Sequence, residues 1–314
     1  MSVTRRAVLL GGLAAALAGC SPAGYSGPER ELVIAGGETG GFYLAFAELL
    51  AKELNLAEPR LRCTAVPTQA SVANVQRVRD GTADLALVLA DAAQAAVNAE
   101  PPFPAPVQLR ALGRVYENYL QLVVRADSGI RALADLAGRR VSLGATGSGA
   151  ALSGERLVAK AGLAVEVEHL PLAAAIAGLR ERRVSALLWS GGVPTPALAE
   201  LDREVPIALL PLDGVLPGLR SAYGPVYELA RVPAGGYRMV GELPTIGVAN
   251  LLVGSAELAE DVAAAVVRVL VNRAGDLVPA EAVGAQFLDV RTLIGTGTVP
   301  LHPGAASTYR RLHG

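Results

Sequence analysis

The chain is short of the residues that carry covalent chemistry. Across 314 residues there are three histidines and two cysteines, and the lysines are Lys52 and Lys160 alone. His169 lies in a strand-like run, and His302 and His313 stand near the C-terminus, so none has a candidate nucleophile beside it. No Gly-x-Ser-x-Gly elbow occurs, Cys63 has no base near it in sequence, and no metal-ligand spacing is present. An enzyme is therefore not expected, nor a cofactor or a metal. Each lysine falls in a helical pattern rather than after a glycine loop, and the Gly-x-Gly-x-x-Gly order is missing, which excludes both common nucleotide-binding motifs. Charge of one sign is missing too. Lys and Arg number 28 against 29 Asp and Glu, scattered without a basic stripe, which argues against a nucleic-acid partner. Hydrophobic residues make up 52% of the chain, with Ala supplying much of that, yet no apolar run of about 18 residues occurs after the N-terminus.

What is present begins with a targeting segment. Arg5-Arg6 precedes an apolar run from Ala7 to Ala18, which ends in Leu17-Ala18-Gly19-Cys20. That ending resembles a bacterial lipobox, in which the cysteine becomes the lipid-modified first residue. The alternative is a plain signal peptide with a chance cysteine. A processed Cys20 would leave Cys63 with no disulfide partner to explain, and Cys63 reads as a small buried apolar residue. Thr4-Arg5-Arg6-Ala7-Val8-Leu9-Leu10 also resembles a twin-arginine export signal, although Ala7 and the lack of a following Phe depart from it. Export is expected, by either route, with residues 21–29 as a tether.

The mature chain is organised around Ile34-Ala35-Gly36-Gly37-Glu38-Thr39-Gly40-Gly41-Phe42-Tyr43. Leu32 to Ile34 read as a strand, while Phe42, Ala45, Phe46, Leu49 and Leu50 recur at helical spacing, so a helix is predicted from near Thr39. A helix start carries unpaired N–H groups and partial positive charge, and glycines let a ligand approach the backbone, so the loop suits an anion. A tight turn without a ligand is the other reading. Further on, Leu61 to Val66 predicts a strand, Ser71 the cap of a short helix carrying Val72, Val75 and Val78, and Asp84 to Leu89 a strand that puts Asp91 at its carboxyl end. Ligands of open α/β sheets bind beyond such ends, so these loops should converge.

Pro101, Pro102, Pro104 and Pro106 predict a connector before a strand from Leu109 to Tyr116. Tyr116-Glu117-Asn118-Tyr119 then breaks the apolar pattern, and a new strand is predicted over Leu120 to Val124, where the chain crosses to a second lobe. That lobe repeats the grammar of the first. A strand at Arg140 to Leu143 is followed by the loop Gly144-Ala145-Thr146-Gly147-Ser148-Gly149 and a helix over Ala150 to Ala161. Later, Val184 to Trp189 reads as a strand ending in Ser190-Gly191-Gly192, the counterpart of Asp91. Residues 203–240 give no clean period, Thr245 to Val253 reads as a return strand, and Glu257 to Asn272 as a long amphipathic helix. Two crossings imply a hinged pair of lobes, 30–119 with 249–314 and 120–248, their glycine loops facing. The available groups, two helix starts, the hydroxyls of Thr39, Ser71, Thr146, Ser148 and Ser190, and the aromatics Phe42, Tyr43, Tyr116, Tyr119 and Trp189, suit holding a small polar ligand rather than transforming it.

These segments, with Ser71-Val72-Ala73-Asn74, Gly81-Thr82-Ala83-Asp84-Leu85-Ala86, Arg125-Ala126-Asp127-Ser128-Gly129-Ile130, Gly191-Gly192-Val193-Pro194-Thr195-Pro196 and Leu301-His302-Pro303-Gly304-Ala305, resemble the TAXI family over nearly the whole mature chain. These are solute-binding receptors of tripartite ATP-independent periplasmic (TRAP) transporters. The resemblance implies an α/β type II periplasmic-binding-protein fold with two lobes on a double-crossover hinge, which closes on a dicarboxylate, oxoacid or acidic amino acid and delivers it to TRAP permease subunits. A monomer on the periplasmic face is expected, anchored to the membrane through Cys20 because of the lipobox-like ending. The site would comprise Thr39, Gly40, Gly41, Phe42, Tyr43, Ser71, Asn74, Asp91, Tyr119, Thr146, Gly147, Ser148, Gly149, Trp189, Ser190 and Gly192. Two departures fall in the expected cleft: Gln69-Ala70 where a glycine pair is usual, and Leu89-Ala90 where Gln-Ser is usual. A sensory receptor of the same fold, coupled to a membrane signalling partner, is the alternative.

Overall fold

A computed structural model describes residues 24–238, 241–279, 288 and 291–313; the export segment and Cys20 lie outside them. The chain opens with β1 (Arg30–Ala35), which pairs in parallel with β2 (Leu61–Val66) and β3 (Leu85–Leu89). All five residues of β3 are buried, as an uninterrupted apolar run covered on both faces requires. The crossovers are α1 (Phe42–Ala57) and α2 (Ser71–Arg79), and α3 (Ala90–Asn98) follows β3 without a break. Helix α1 begins three residues later than the pattern around Thr39 suggested, because Glu38 to Gly41 form a turn first.

Two long strands organise the remainder. β4 (Leu109–Arg125) has 17 residues and, at about 3.3 Å per residue, is roughly 55 Å long. The polar stretch at Tyr116 to Tyr119 does not divide it, contrary to the two strands read from sequence. Its backbone stays paired to β10 (Leu243–Ser255), with Glu117, Asn118 and Tyr119 opposite Ala249, Val248 and Gly247. What changes there is the partner: up to Tyr119 β4 pairs β10, and from Tyr119 onward it pairs β7 (Ala186–Gly191) and β8 (Ile207–Leu210). Register shifts at Asn250/Leu251 and Leu252/Val253 add twist along this pair.

The second half uses β5 (Arg140–Ser142), α4 (Gly149–Ala161), β6 (Glu166–Glu168), α5 (Leu172–Arg180), β7 and α6 (Pro196–Glu204). The strand orders are the same in both halves: β2-β1-β3-β10-β4 in one and β6-β5-β7-β4-β8 in the other, with an antiparallel strand from the opposite half inserted fourth. The stretch that resisted a periodic reading contains β8, α7 (Leu216–Tyr223) and β9 (Tyr227–Val232), which pairs β10. Helix α8 (Glu260–Asn272) packs on α1 and on α9 (Pro303–His313) and buries Val262, Val266 and Val269. One buried apolar cluster runs from Leu32 and Phe46 through Leu89 to Leu143, Leu152 and Leu188, so the core is continuous across the two halves.

Candidate functional site

The two glycine loops are the same turn made twice. After β1, Gly41 N–H donates to the Glu38 carbonyl at 3.0 Å, with Gly40 at φ 81°; after β5, Ser148 N–H donates to the Ala145 carbonyl at 3.0 Å, with Gly147 at φ 81°. Each glycine fills the third turn position, where a positive φ excludes most side chains. Each turn ends at a helix start. Gly41 has no side chain to cap α1, whereas Ser148 Oγ accepts the Ala151 N–H of α4 at 3.0 Å.

Both starts open on one cavity of about 30 Å³. Its walls are Glu38, Gly41, Phe42 and Tyr43 from the first loop and helix, Ala70 and Ser71 from the start of α2, and Leu89 and Asn118 from the central strands. Ser148, Gly149, Trp189 and Ser190 close it from the other half. That volume suits about two waters, so a four-carbon acid requires the halves to stand further apart.

Hydrogen bonds fix most of the polar walls. Ser71 does not cap α2, where Ala70 is the cap residue; its Oγ accepts the Leu89 N–H at 3.0 Å and lies 3.3 Å from the Tyr43 hydroxyl. Burial pushes the Tyr43 phenol well above its ordinary value, with the Ser71 contact opposing, so it stays a neutral hydroxyl. Asn118 Nδ2 donates to Ser190 Oγ at 3.2 Å and its Oδ1 accepts from Asn250 Nδ2 at 2.9 Å. The Trp189 indole N–H is held by Thr195 Oγ1 at 3.0 Å, which orients the ring against Gly41. The Glu38 carboxylate crosses the seam to accept the Leu172 N–H of α5 at 2.8 Å. Burial raises its pKa above the usual 4.5, and that hydrogen bond works against the rise.

Of the residues expected from sequence, Gly41, Phe42, Tyr43, Ser71, Ser148, Gly149, Trp189 and Ser190 line this cavity. The others lie elsewhere. Thr39 and Thr146 hold the second turn position; Thr39 and Gly40 line a separate groove with Gly41 and Phe42, and Thr146 and Gly147 line another with Ser148 and Arg156. Asn74 is fully buried, its Nδ2 donating to the carbonyls of Gly36 at 2.6 Å and Leu87 at 2.8 Å, so it binds the protein's own backbone. Asp91 falls in the first turn of α3, where it is fully buried and accepts Ser153 Oγ and the Tyr227 hydroxyl, each at 2.7 Å. Tyr119 belongs to a core cluster with Val123 and Leu187, and the Gly192 carbonyl is taken by Thr195 Oγ1 and Gln121 Nε2.

Sequence reasoning passed over Glu38 and Asn118 as site residues, although both stood inside segments it had singled out. The departures Ala70 and Leu89 do face the cavity, a methyl group where glycine is usual and an apolar side chain where Gln is usual. His302 is buried, its Nε2 donating to the Leu258 carbonyl at 2.8 Å while Nδ1 accepts the Gly304 N–H, and burial lowers its pKa. Burial likewise pushes the Cys63 thiol up to about 12. Among the described residues no cluster of three or more His, Cys, Asp or Glu is placed to hold a metal ion.

A family model described as the NMT1-like family matches residues 34–311. Among solved structures, a protein of Bordetella bronchiseptica RB50 is similar at TM-score 0.54 and 17% identity, over 90% of this chain and 82% of that one. A structure described as a periplasmic transporter matches at TM-score 0.52 and 11% identity, over 91% and 93%. The periplasmic aliphatic sulphonate binding protein SsuA from Escherichia coli matches at TM-score 0.47 and 17% identity, over 90% and 84%. Identities this low speak for the fold alone, and the fold is that of periplasmic binding proteins.

Proposed function

The chain belongs to the NMT1-like family, whose model spans residues 34–311, and from that premise we propose that it is an extracytoplasmic solute-binding receptor that closes on a small organic anion. Residues 30–119 with 249–314 form one lobe and 120–248 the other, and β4 and β10 are the hinge strands between them. The observation that carries this reading is the pair of duplicated turns, each ending at a helix start, that open from opposite halves onto one cavity. In the open form, an anion would dock against the first-turn N–H groups of one helix. Closure then brings up the second start and removes water, which strengthens each hydrogen bond to the ligand. A ligand shifts this equilibrium only by its preference for the closed form, so contact with both halves is the requirement.

The seam contacts belong to the same reading. Ala73 N–H donates to the Gly147 carbonyl at 3.0 Å, Leu172 N–H to Glu38, and Ser153 and Tyr227 to Asp91. Around a larger ligand the lobes would stop short of some of these contacts. We further propose, from the lipobox and the family resemblance, a monomeric lipoprotein anchored at Cys20 that passes its ligand to TRAP permease subunits. Solution scattering tests the receptor reading: ligand added to ligand-stripped protein should lower the radius of gyration. Identical curves at a concentration where binding is independently shown would contradict it. Co-purification and reconstituted uptake with the permease subunits test the partner, and a membrane sensor captured instead would favour signalling.

A further inference from the structure

We infer that the ligand carries one anionic group, and that Glu38 turns dianions away; this rests on the receptor reading above. Among the described residues the cavity lining holds one charged side chain, the Glu38 carboxylate, and no lysine, arginine or histidine. The positive potential available is that of three helix starts, α1 with 16 residues, α4 with 13 and α2 with 9, whose Ser71 lines the cavity. Each contributes about half an elementary charge, so together they offset the Glu38 carboxylate and leave roughly half a positive charge, which favours one ligand anion and not two. A second ligand carboxylate would find no counter-charge in the lining and would share the cavity with Glu38.

The surroundings do not make up the difference. Asp91 is fully buried behind Tyr43, and its negative charge bears on that phenol. Arg156, the cation nearest that cluster, is committed: it reaches Glu100 at 3.3 Å and the Tyr227 hydroxyl at 3.3 Å, and lies 4.1 Å over the Tyr223 ring. Glu38 itself is held across the seam by Leu172 N–H at 2.8 Å, so the closed form fixes a carboxylate in the wall. The other polar walls, Tyr43, Ser71, Asn118 and Ser190, are neutral and match hydroxyl, keto or amide groups.

The test pairs two readouts. Ligand released from the purified protein is identified by mass spectrometry. Malonate, succinate and glutarate are then titrated calorimetrically beside their monoamides, which keep shape and remove one charge. The inference expects a released compound with a single acid group, and monoamides at least tenfold tighter than the matching diacids wherever either binds. Glu38→Gln, which keeps an acceptor for Leu172, should narrow that ratio severalfold. A released dicarboxylate, or a diacid as tight as its monoamide, would overturn the charge inference and leave the receptor standing. Protein that releases nothing, binds none of the six and shows no change in scattering would remove the receptor reading, and this inference with it.

Discussion

At the scale of single residues, Asn74 and Ala70 show where backbone geometry outweighs side-chain chemistry. Asn74 stood in a segment matched to a receptor family, and nothing in its neighbours indicated that its amide turns inward to tie β1, β3 and the first loop together. Asn74→Ala should cost about 2–3 kcal/mol in denaturant unfolding, because buried carbonyls lose their donor. Ala70 sits at φ 73° and ψ −147°, a region open essentially to glycine alone. The sequence marked this position as a departure from a glycine pair, and the structure supplies the reason that glycine is usual. Ala70→Gly should raise stability by about 1 kcal/mol, the relief of strain exceeding the entropy of the freer unfolded chain. Glu38 predicts a pH dependence. Its pKa lies above 4.5 in the closed form, so the closed protein holds that proton more tightly than the open one. Closure should therefore strengthen as pH falls through the raised value towards 4.5, and weaken above it. Glu38→Gln should therefore reduce the pH dependence of lobe spacing.

At the scale of elements, the duplicated strand–turn–helix units were legible because each repeats a strand, glycines at fixed offsets and a helical period. The side of the turn that faces the ligand was not. Threonine in a glycine loop looks like a binding residue, but Thr39 and Thr146 line grooves separate from the cavity that the two halves share. The break at Tyr116 to Tyr119 misled for a related reason: polar side chains on a paired strand are tolerated when Asn250 and Ser190 satisfy them, and sequence shows no partner 132 residues away. Short elements such as β8, with four residues, offer too few periods to be recognised. The same geometry makes Gly149, and not Gly147, the place to test closure with a side chain. A Cβ at Gly147 meets nothing closer than Ala73 at 3.8 Å, whereas one at Gly149 would lie 2.6 Å from both Ser71 Oγ and Leu89 Cδ1 across the seam. Gly149→Val should disfavour the closed form by about 1–3 kcal/mol, lowering affinity by about 5- to 150-fold and leaving a larger radius of gyration with ligand. An unchanged scattering curve and affinity would show that the halves do not close at this seam.

At the scale of the whole molecule, the strand order of one half recurs in the other, and the two long strands supply the only sheet pairing between them among the described residues. The repeated strand order was legible in outline, because chain order and strand spacing record it. The buried polar cluster of Asp91, Ser153 and Tyr227 was not, since it joins residues up to 136 positions apart. No helix among the described residues is long and apolar enough to cross a membrane; membrane attachment is proposed at Cys20. Cys20→Ala should move the protein from the membrane fraction to the soluble envelope fraction, read by fractionation and blotting. The most direct measurement is a crystal structure of the protein with its own ligand retained through purification. The account predicts density for one small anion between Tyr43 and Ser71 on one side and Ser148 and Trp189 on the other, touching the starts of α1 and α4. Density confined to the groove beside Arg156 and Tyr223, with that cavity closed, would contradict it.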